Sequence, residues 1–214
     1  MIRISGLIFD LDGTLADSAP DIAGSVKYTL KTLGLPPRSG GEVRRFIGDG
    51  MRTLLERATG RTEKPFLDRA VEVFRPHYME HCLDRTRLYP GAVETLRFFR
   101  RKPMAVVTNK PVAMTVKILR GLGIERYFRT VLGGESVSRR KPHPEPILKA
   151  LRILGTDPAD TLVVGDGTAD MLAGRAAGTP VCAAAYGYKS RAELDSCRPD
   201  HLIRRLKDLR KIAA

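Results

Sequence analysis

The chain has 214 residues, 43% of them hydrophobic, 29% charged and 6% aromatic, and carries a net charge of +13. That is enough chain to bury a sizeable core as one domain or two small ones, and no apolar run approaches the roughly 18–20 residues of a membrane span. Three cysteines (Cys82, Cys182 and Cys197) without CxxC or Cys/His ligand spacing exclude a disulfide framework or a zinc site. A cytoplasmic setting is expected, since the short apolar run near the amino terminus meets Asp10 and Asp12 at once and forms no secretory pattern.

The first element is Ile4–Phe9, an apolar run without alternation that predicts a strand covered on both faces. It ends on Asp10-Leu11-Asp12-Gly13-Thr14. Burying two ionised carboxylates costs roughly several kcal/mol each unless cations compensate them. From about Ser18 to Arg85 only helical patterning appears, punctuated at Gly34-Leu35-Pro36-Pro37, Gly40-Gly41, Gly48–Gly50 and Gly60. A parallel crossover needs little more than about a dozen residues, so this stretch predicts an inserted helical subdomain. It is entered near Ala16–Pro20 and left near Arg87–Gly91. Residues 17–86 are then a helical cap, and residues 1–16 with 87–214 a discontinuous α/β core.

Beyond the insertion, apolar runs at Met104–Val107, Thr130–Leu132, Thr161–Val164, Val181–Ala184 and, more weakly, His201–Ile203 predict further strands. Between them lie amphipathic stretches of helical length: Ala92–Arg101, Val112–Leu122, Pro146–Leu154 and Ala169–Ala177. This alternation predicts an α/β fold with a Rossmann-like parallel sheet flanked by helices. Gly178 and Pro180 mark the end of the Ala-rich helix.

In open parallel sheets ligands collect at the carboxyl ends of the strands. Three such ends carry polar groups: Asp10 to Thr14, Thr108-Asn109-Lys110, and Gly165-Asp166 with Asp170 four residues further on. A loop with Lys141 precedes another helix. Four carboxylates at two strand ends are not ionised together without cations among them. Mg²⁺ suits such hard oxygen ligands, and Lys141 is the expected second cation. The set describes a site for a dianion, with the Thr108 hydroxyl and Asn109 as donors and backbone N–H groups around Leu11–Gly13 as a small anion nest. Singly, each element has a plainer reading as a turn, a helix cap or a solvated charge. Together they predict one phosphate site. Cys182 is expected in the core, and His143, between prolines, as a loop-fixing residue; His77 and His81 lack a third metal ligand.

Asp10-Leu11-Asp12-Gly13-Thr14, Thr108 after an apolar strand, Lys141 before Pro142 and Gly165-Asp166…Asp170 resemble the four ordered motifs of the haloacid dehalogenase superfamily. The chain is most similar to its phosphoglycolate phosphatase group. That likeness rests on Phe46-Ile47-Gly48-Asp49-Gly50, Tyr89-Pro90-Gly91, Lys141-Pro142-His143-Pro144 and Tyr186-Gly187-Tyr188. Gly167 departs from the pattern, in which Ser or Thr commonly follows the metal aspartate. The resemblance implies an Mg²⁺-dependent phosphomonoester hydrolase acting on 2-phosphoglycolate, with small sugar phosphates, nucleotides or pyrophosphate as alternatives.

In that scheme Asp10 is the nucleophile, ionised at neutral pH with a reference pKa of about 3.9, and forms an aspartyl phosphate. Asp12 is first general acid and then general base. The metal is held by Asp10, the Asp12 backbone carbonyl and Asp166, while Lys141 shares the charge and Thr14 and Asp170 support the site. Over the strand ends, Gly48 and Gly50 would let backbone approach the ligand, and Arg44, Arg45 or Arg52 would pair with a substrate carboxylate.

Carbon–halogen hydrolysis and a phosphomutase on the same core are the enzymatic alternatives. The non-enzymatic ones are a basic nucleic-acid-binding module and a receiver-like domain phosphorylated on Asp10. The basic residues are scattered and not interleaved with aromatics, which weighs against nucleic acid. The expected partner is a small phosphorylated metabolite, with no membrane and a monomeric or homodimeric state.

Overall fold

The computed structural model describes residues 2–213. Strand β1 (Gly6–Phe9) leads into a two-residue strand, β2 (Ala16–Asp17). Four helices follow, α1 (Ala19–Thr32), α2 (Gly40–Phe46), α3 (Met51–Thr59) and α4 (Lys64–His81), before a second two-residue strand, β3 (Arg87–Leu88). Helices and strands then alternate: α5 (Ala92–Phe98), β4 (Met104–Val107), α6 (Val112–Gly121), β5 (Thr130–Leu132), α7 (Glu145–Leu154) and β6 (Thr161–Gly165). The chain continues through α8 (Thr168–Ala176), β7 (Val181–Ala184), α9 (Arg191–Ser196), β8 (His201–Ile203) and α10 (Leu209–Ile212).

Six strands form one sheet in the order β5–β4–β1–β6–β7–β8, and every pairing in it is parallel. Alternation along each strand sends side chains to two buried faces. Leu7, Phe9, Val106 and Val164 pack with Leu96 of α5 and Ile118 of α6, in a core that continues into α1, α3 and α4 through Leu30, Leu55 and Phe74. Ile8, Val107, Val163 and Val181 face the other way, against Ile147 and Leu151 of α7 and Met171 of α8. Each large apolar side chain removed from water contributes about 1.5–3 kcal/mol, which is why runs without alternation become central strands. Ile4, expected inside the first strand, is buried but lies just before it.

The α1–α4 layer holds together by α1 packing on α4 and α2, and by α3 packing on α4. Where the chain passes between this layer and the sheet, β2 and β3 pair antiparallel, Ala16 opposite Leu88 and Asp17 opposite Arg87. Buried Asp21 pins this crossing, because its carboxylate accepts the Arg85 N–H at 3.0 Å, the Thr86 N–H at 2.8 Å and the Thr86 hydroxyl at 2.7 Å. Strands of two residues are too short to leave a periodic signal, so this ribbon is absent from the expected elements.

Candidate active site

The order β4–β1–β6 brings three polar strand ends side by side at the middle of the sheet. Asp10 follows β1, and its N–H donates to Val164 O of β6 at 2.9 Å. Thr108 follows β4 and Asp166 follows β6, whereas Lys141 arrives from the loop before α7. The Lys141 ammonium donates to Asp10 Oδ1 at 2.9 Å, to Asp170 Oδ1 at 2.5 Å and to Val107 O at 2.7 Å. Asp10, Asp166 and Asp170 are all buried, and each offers a carboxylate oxygen within 4.8 Å of the other two. The other Asp170 oxygen accepts the Gly167 N–H at 3.0 Å, closing the first turn of α8. Only backbone is needed for that bond, so the departure at Gly167 leaves it intact.

Electrostatically this cluster is short of positive charge. Burial raises the Asp10 pKa to about 6; Lys141 opposes the rise, and Asp170 and Asp12 add to it. Burial, with Asp10 and Asp170 beside it, holds the Asp166 carboxyl well above the usual range. Against this rise work the Tyr188 N–H at 2.6 Å and the Thr14 hydroxyl at 3.3 Å, both donating to Asp166. Burial disfavours the Lys141 ammonium, but Asp10 and Asp170 more than offset it and keep its pKa above the ordinary lysine value. Three clustered hard oxygen donors with one ammonium fit a divalent cation of the Mg²⁺ type. Two glycines permit the packing. At Gly13, with φ +84°, a Cβ would stand 2.1 Å from Asp166 Oδ2, and at Gly187 it would stand 2.2 Å from Asp166 Cβ.

The Asp12 carboxylate belongs to a different set of partners. Lys110 Nζ lies 3.0 Å from Asp12 Oδ2, and the Ser18 hydroxyl donates to Asp12 Oδ1. Ser18 is in turn fixed by its N–H donating to the Tyr188 hydroxyl at 2.8 Å, and Lys110 donates to the Tyr78 hydroxyl at 2.9 Å. Sequence reasoning assigned no role to Lys110, Ser18, Tyr78 or Tyr188. For Lys110 a signal existed in its place directly after Thr108-Asn109. Tyr78 follows Leu67, Ala70 and Phe74 on the buried stripe of α4, a pattern that indicates core alone.

A cleft of about 470 Å³, open mouth included, runs from Asp10, Asp12 and Thr108 up to Ile22, Met51 and Phe74 of the helical layer. Gly48 and Gly50 line it. Thr108 lines it too, its hydroxyl accepting the Lys110 N–H at 3.3 Å. Leu11 is fully buried, and its carbonyl accepts from Thr14, Leu15 and Ala16. Three of the expected donors have protein partners of their own. The Gly13 N–H donates to Ala16 O at 2.9 Å and is not free to meet an anion. Asn109 is no free donor, because its amide nitrogen bridges Gly48 O and Lys141 O, each at 3.0 Å, and so ties the helical layer to the Lys141 loop. Arg52 pairs with Asp68 inside the helical layer and is not among the cleft-lining residues. Arg44 and Arg45 serve the seam between the two layers. The Arg44 guanidinium sits 4.8 Å from the Tyr188 ring centre, and Lys189 Nζ donates to Arg45 O at 2.9 Å. His143 fixes its loop by accepting the Glu145 N–H at 3.2 Å, and Cys182 is buried in β7.

The family model for haloacid dehalogenase-like hydrolases matches residues 7–184. The chain belongs to this family. The matched span contains every motif residue from Asp10 to Asp170. Among relatives, the chain is 42% identical over 208 residues to a phosphoglycolate phosphatase of Aquifex aeolicus, covering 96% of this chain and 95% of that protein. It is 36% identical over 229 residues to a phosphoglycolate phosphatase of Escherichia coli K12, covering 96% and 91%. The crystal structure of a predicted phosphoglycolate phosphatase from Haemophilus somnus matches with a TM-score of 0.92 at 34% identity, covering 98% of this chain and 97% of that one. Among the described residues, no helix of this haloacid dehalogenase-like hydrolase is long and apolar enough to cross a membrane.

Proposed function

We propose that the protein hydrolyses a small phosphomonoester in an Mg²⁺-dependent reaction, with 2-phosphoglycolate as the substrate. The observation that carries this reading is the Lys141 ammonium bridging Asp10 and Asp170 beside Asp166, a cationic and carboxylate pocket at the end of the central strand. The choice of substrate is supported by relatives that bear the name phosphoglycolate phosphatase at 33–42% identity over nearly the whole chain.

Asp10 attacks phosphorus in line, and the bond from phosphorus to the glycolate oxygen breaks. Asp12 donates a proton to that departing oxygen, since an alkoxide leaves poorly. The aspartyl phosphate on Asp10 is then attacked by water, from which Asp12 takes a proton, and phosphate leaves with the Asp10 carboxylate restored. Lys141 holds Asp10 in place and offsets negative charge on the phosphoryl group. Asp10, Asp166 and the Asp12 carbonyl would hold Mg²⁺, with Asp170 beside them, and the ion supplies positive charge against the phosphoryl oxygens. Residues 17–86 act as a cap over the core formed by residues 1–16 and 87–214, excluding water during transfer.

The test is a screen of phosphorylated metabolites with and without Mg²⁺, read as kcat/KM. The highest value is expected for 2-phosphoglycolate, with loss of activity on chelation. A preference for hexose phosphates or nucleotides contradicts the substrate, and chelator-resistant turnover contradicts the chemistry.

A further inference from the structure

The two buried lysines of the site face different ends of a substrate. Lys141 stands with Asp166 and Asp170 on the phosphate side, while Lys110 is, among the described residues, the one cation lining the larger cleft under the helical layer. Most of that cleft is apolar, with Ile22, Met51, Leu54, Phe74 and Met114 in its wall. A lysine ammonium has three N–H donors. One lies on Asp12 Oδ2 at 3.0 Å and one on the Tyr78 hydroxyl at 2.9 Å; the third has no acceptor among the described residues. Tyr78 accepts in its bond from Lys110, so its own O–H is left to donate, and it too has no acceptor there. Burial raises the Tyr78 pKa above the ordinary tyrosine value although Lys110 opposes the rise, so the phenol keeps its proton at neutral pH.

We propose that Lys110 and Tyr78 together form the receptor for the substrate's carboxylate, the ammonium and the phenol each donating to one of its oxygens. This rests on the phosphomonoesterase reading above and names the residues that select within it. The spacing fits a carboxylate one carbon from the ester oxygen. Asp12 must come within about 3 Å of that oxygen to protonate it, and Lys110 Nζ stands 3.0 Å from Asp12 Oδ2. The charge fits as well, because without Lys110 a second substrate anion would enter beside Asp10 and Asp12 and be repelled. Sugar hydroxyls would instead meet the apolar wall unpaired. Since Tyr78 comes from α4 and Lys110 from the end of β4, the receptor is complete only when the helical layer and the sheet are together.

The experiment compares kcat/KM for 2-phosphoglycolate and for ethyl phosphate, which carries a methyl in place of the carboxylate, in wild type, Lys110→Met and Tyr78→Phe. Wild type is expected to favour 2-phosphoglycolate. That ratio should fall at least about 30-fold in Lys110→Met and about tenfold in Tyr78→Phe, through KM more than kcat. Ratios within about twofold of wild type in both variants overturn the receptor while leaving the phosphatase reading standing. If Lys110→Met does not fold, Tyr78→Phe, which removes one hydroxyl and keeps the ring, decides alone. Wild type that hydrolyses ethyl phosphate as well as 2-phosphoglycolate overturns both the substrate and the receptor. Wild type that hydrolyses neither overturns the phosphatase reading itself.

Discussion

Lys141 and Asp10 are 131 residues apart in the chain, yet their ammonium and carboxylate meet at 2.9 Å beneath Asp166 and Asp170. Lys141 retains 5% exposure and Asp10 8%, so neither charge is satisfied by water. Removing one partner of such a pair leaves the other charge buried and uncompensated, at a cost of about 3–5 kcal/mol. Lys141→Met is therefore expected to lower stability by an amount of that order and to reduce kcat by about 10³-fold or more. Denaturant unfolding and single-substrate kinetics check both. The destabilisation should be smaller at pH 5 than at pH 8, because protonation relieves the stranded carboxylates.

The raised carboxyl groups carry a second prediction. The folded-state pKa of Asp10 is about 6 and that of Asp166 is well above the ordinary carboxylate value, so the folded metal-free protein binds protons more readily than the unfolded chain. Their contribution is favourable below about pH 4 and is lost as the pH rises through about 6 for Asp10. On the proposed function, a divalent cation would take the place of those protons. Thermal unfolding with EDTA or with Mg²⁺ should show a larger rise in Tm on adding metal at pH 8 than at pH 5, and an equal shift at both would contradict the assignment.

Gly13→Ala tests how tightly the backbone wraps Asp166. An alanine at φ +84° carries about 1–2 kcal/mol of left-handed strain, and its Cβ would also stand 2.1 Å from Asp166 Oδ2. Gly34 is the comparison, with φ +68° and nothing within 4 Å, so Gly34→Ala should show the strain alone. Gly13→Ala is expected to weaken Mg²⁺ binding by about tenfold or more beyond that common loss of stability. Metal titration of the two variants separates the effects.

At the crossing between the layers, Asp21→Ala would strand the Arg85 and Thr86 N–H groups, each costing roughly 1–3 kcal/mol where buried. Unfolding should become less cooperative as well as earlier, since the same residue joins α1 to the strand that returns to the sheet. A single unshifted transition would show that the β2–β3 pairing suffices without it.

Much of the frame was legible because its strands are buried on both faces. Leu7–Phe9, Met104–Val107 and Val181–Ala184 had to be apolar throughout, and such runs stand out against amphipathic helices. Asp10, Asp12, Lys141, Asp166 and Asp170 were legible for the opposite reason, as charges placed where burial penalises them. What escaped was partner choice. Nothing local distinguishes Tyr78 from the apolar residues of its stripe, and its hydroxyl acquires a role only when α4 is laid over Lys110. Arg52 and Asn109 looked free to meet a ligand because their partners, Asp68 on another helix and Gly48 in another layer, are set by packing. The β2–β3 ribbon was invisible because two residues have no period.

The central claim is that Asp10 carries the phosphoryl group. Acid quench of the enzyme during turnover of 2-phosphoglycolate with Mg²⁺, followed by mass mapping of the phosphorylated peptide, tests it directly. The expected result is an acid-stable, base-labile phosphoryl group on Asp10 that is absent in Asp10→Asn. A phosphoryl group on another residue, or undiminished turnover by a folded Asp10→Asn variant, would contradict the account.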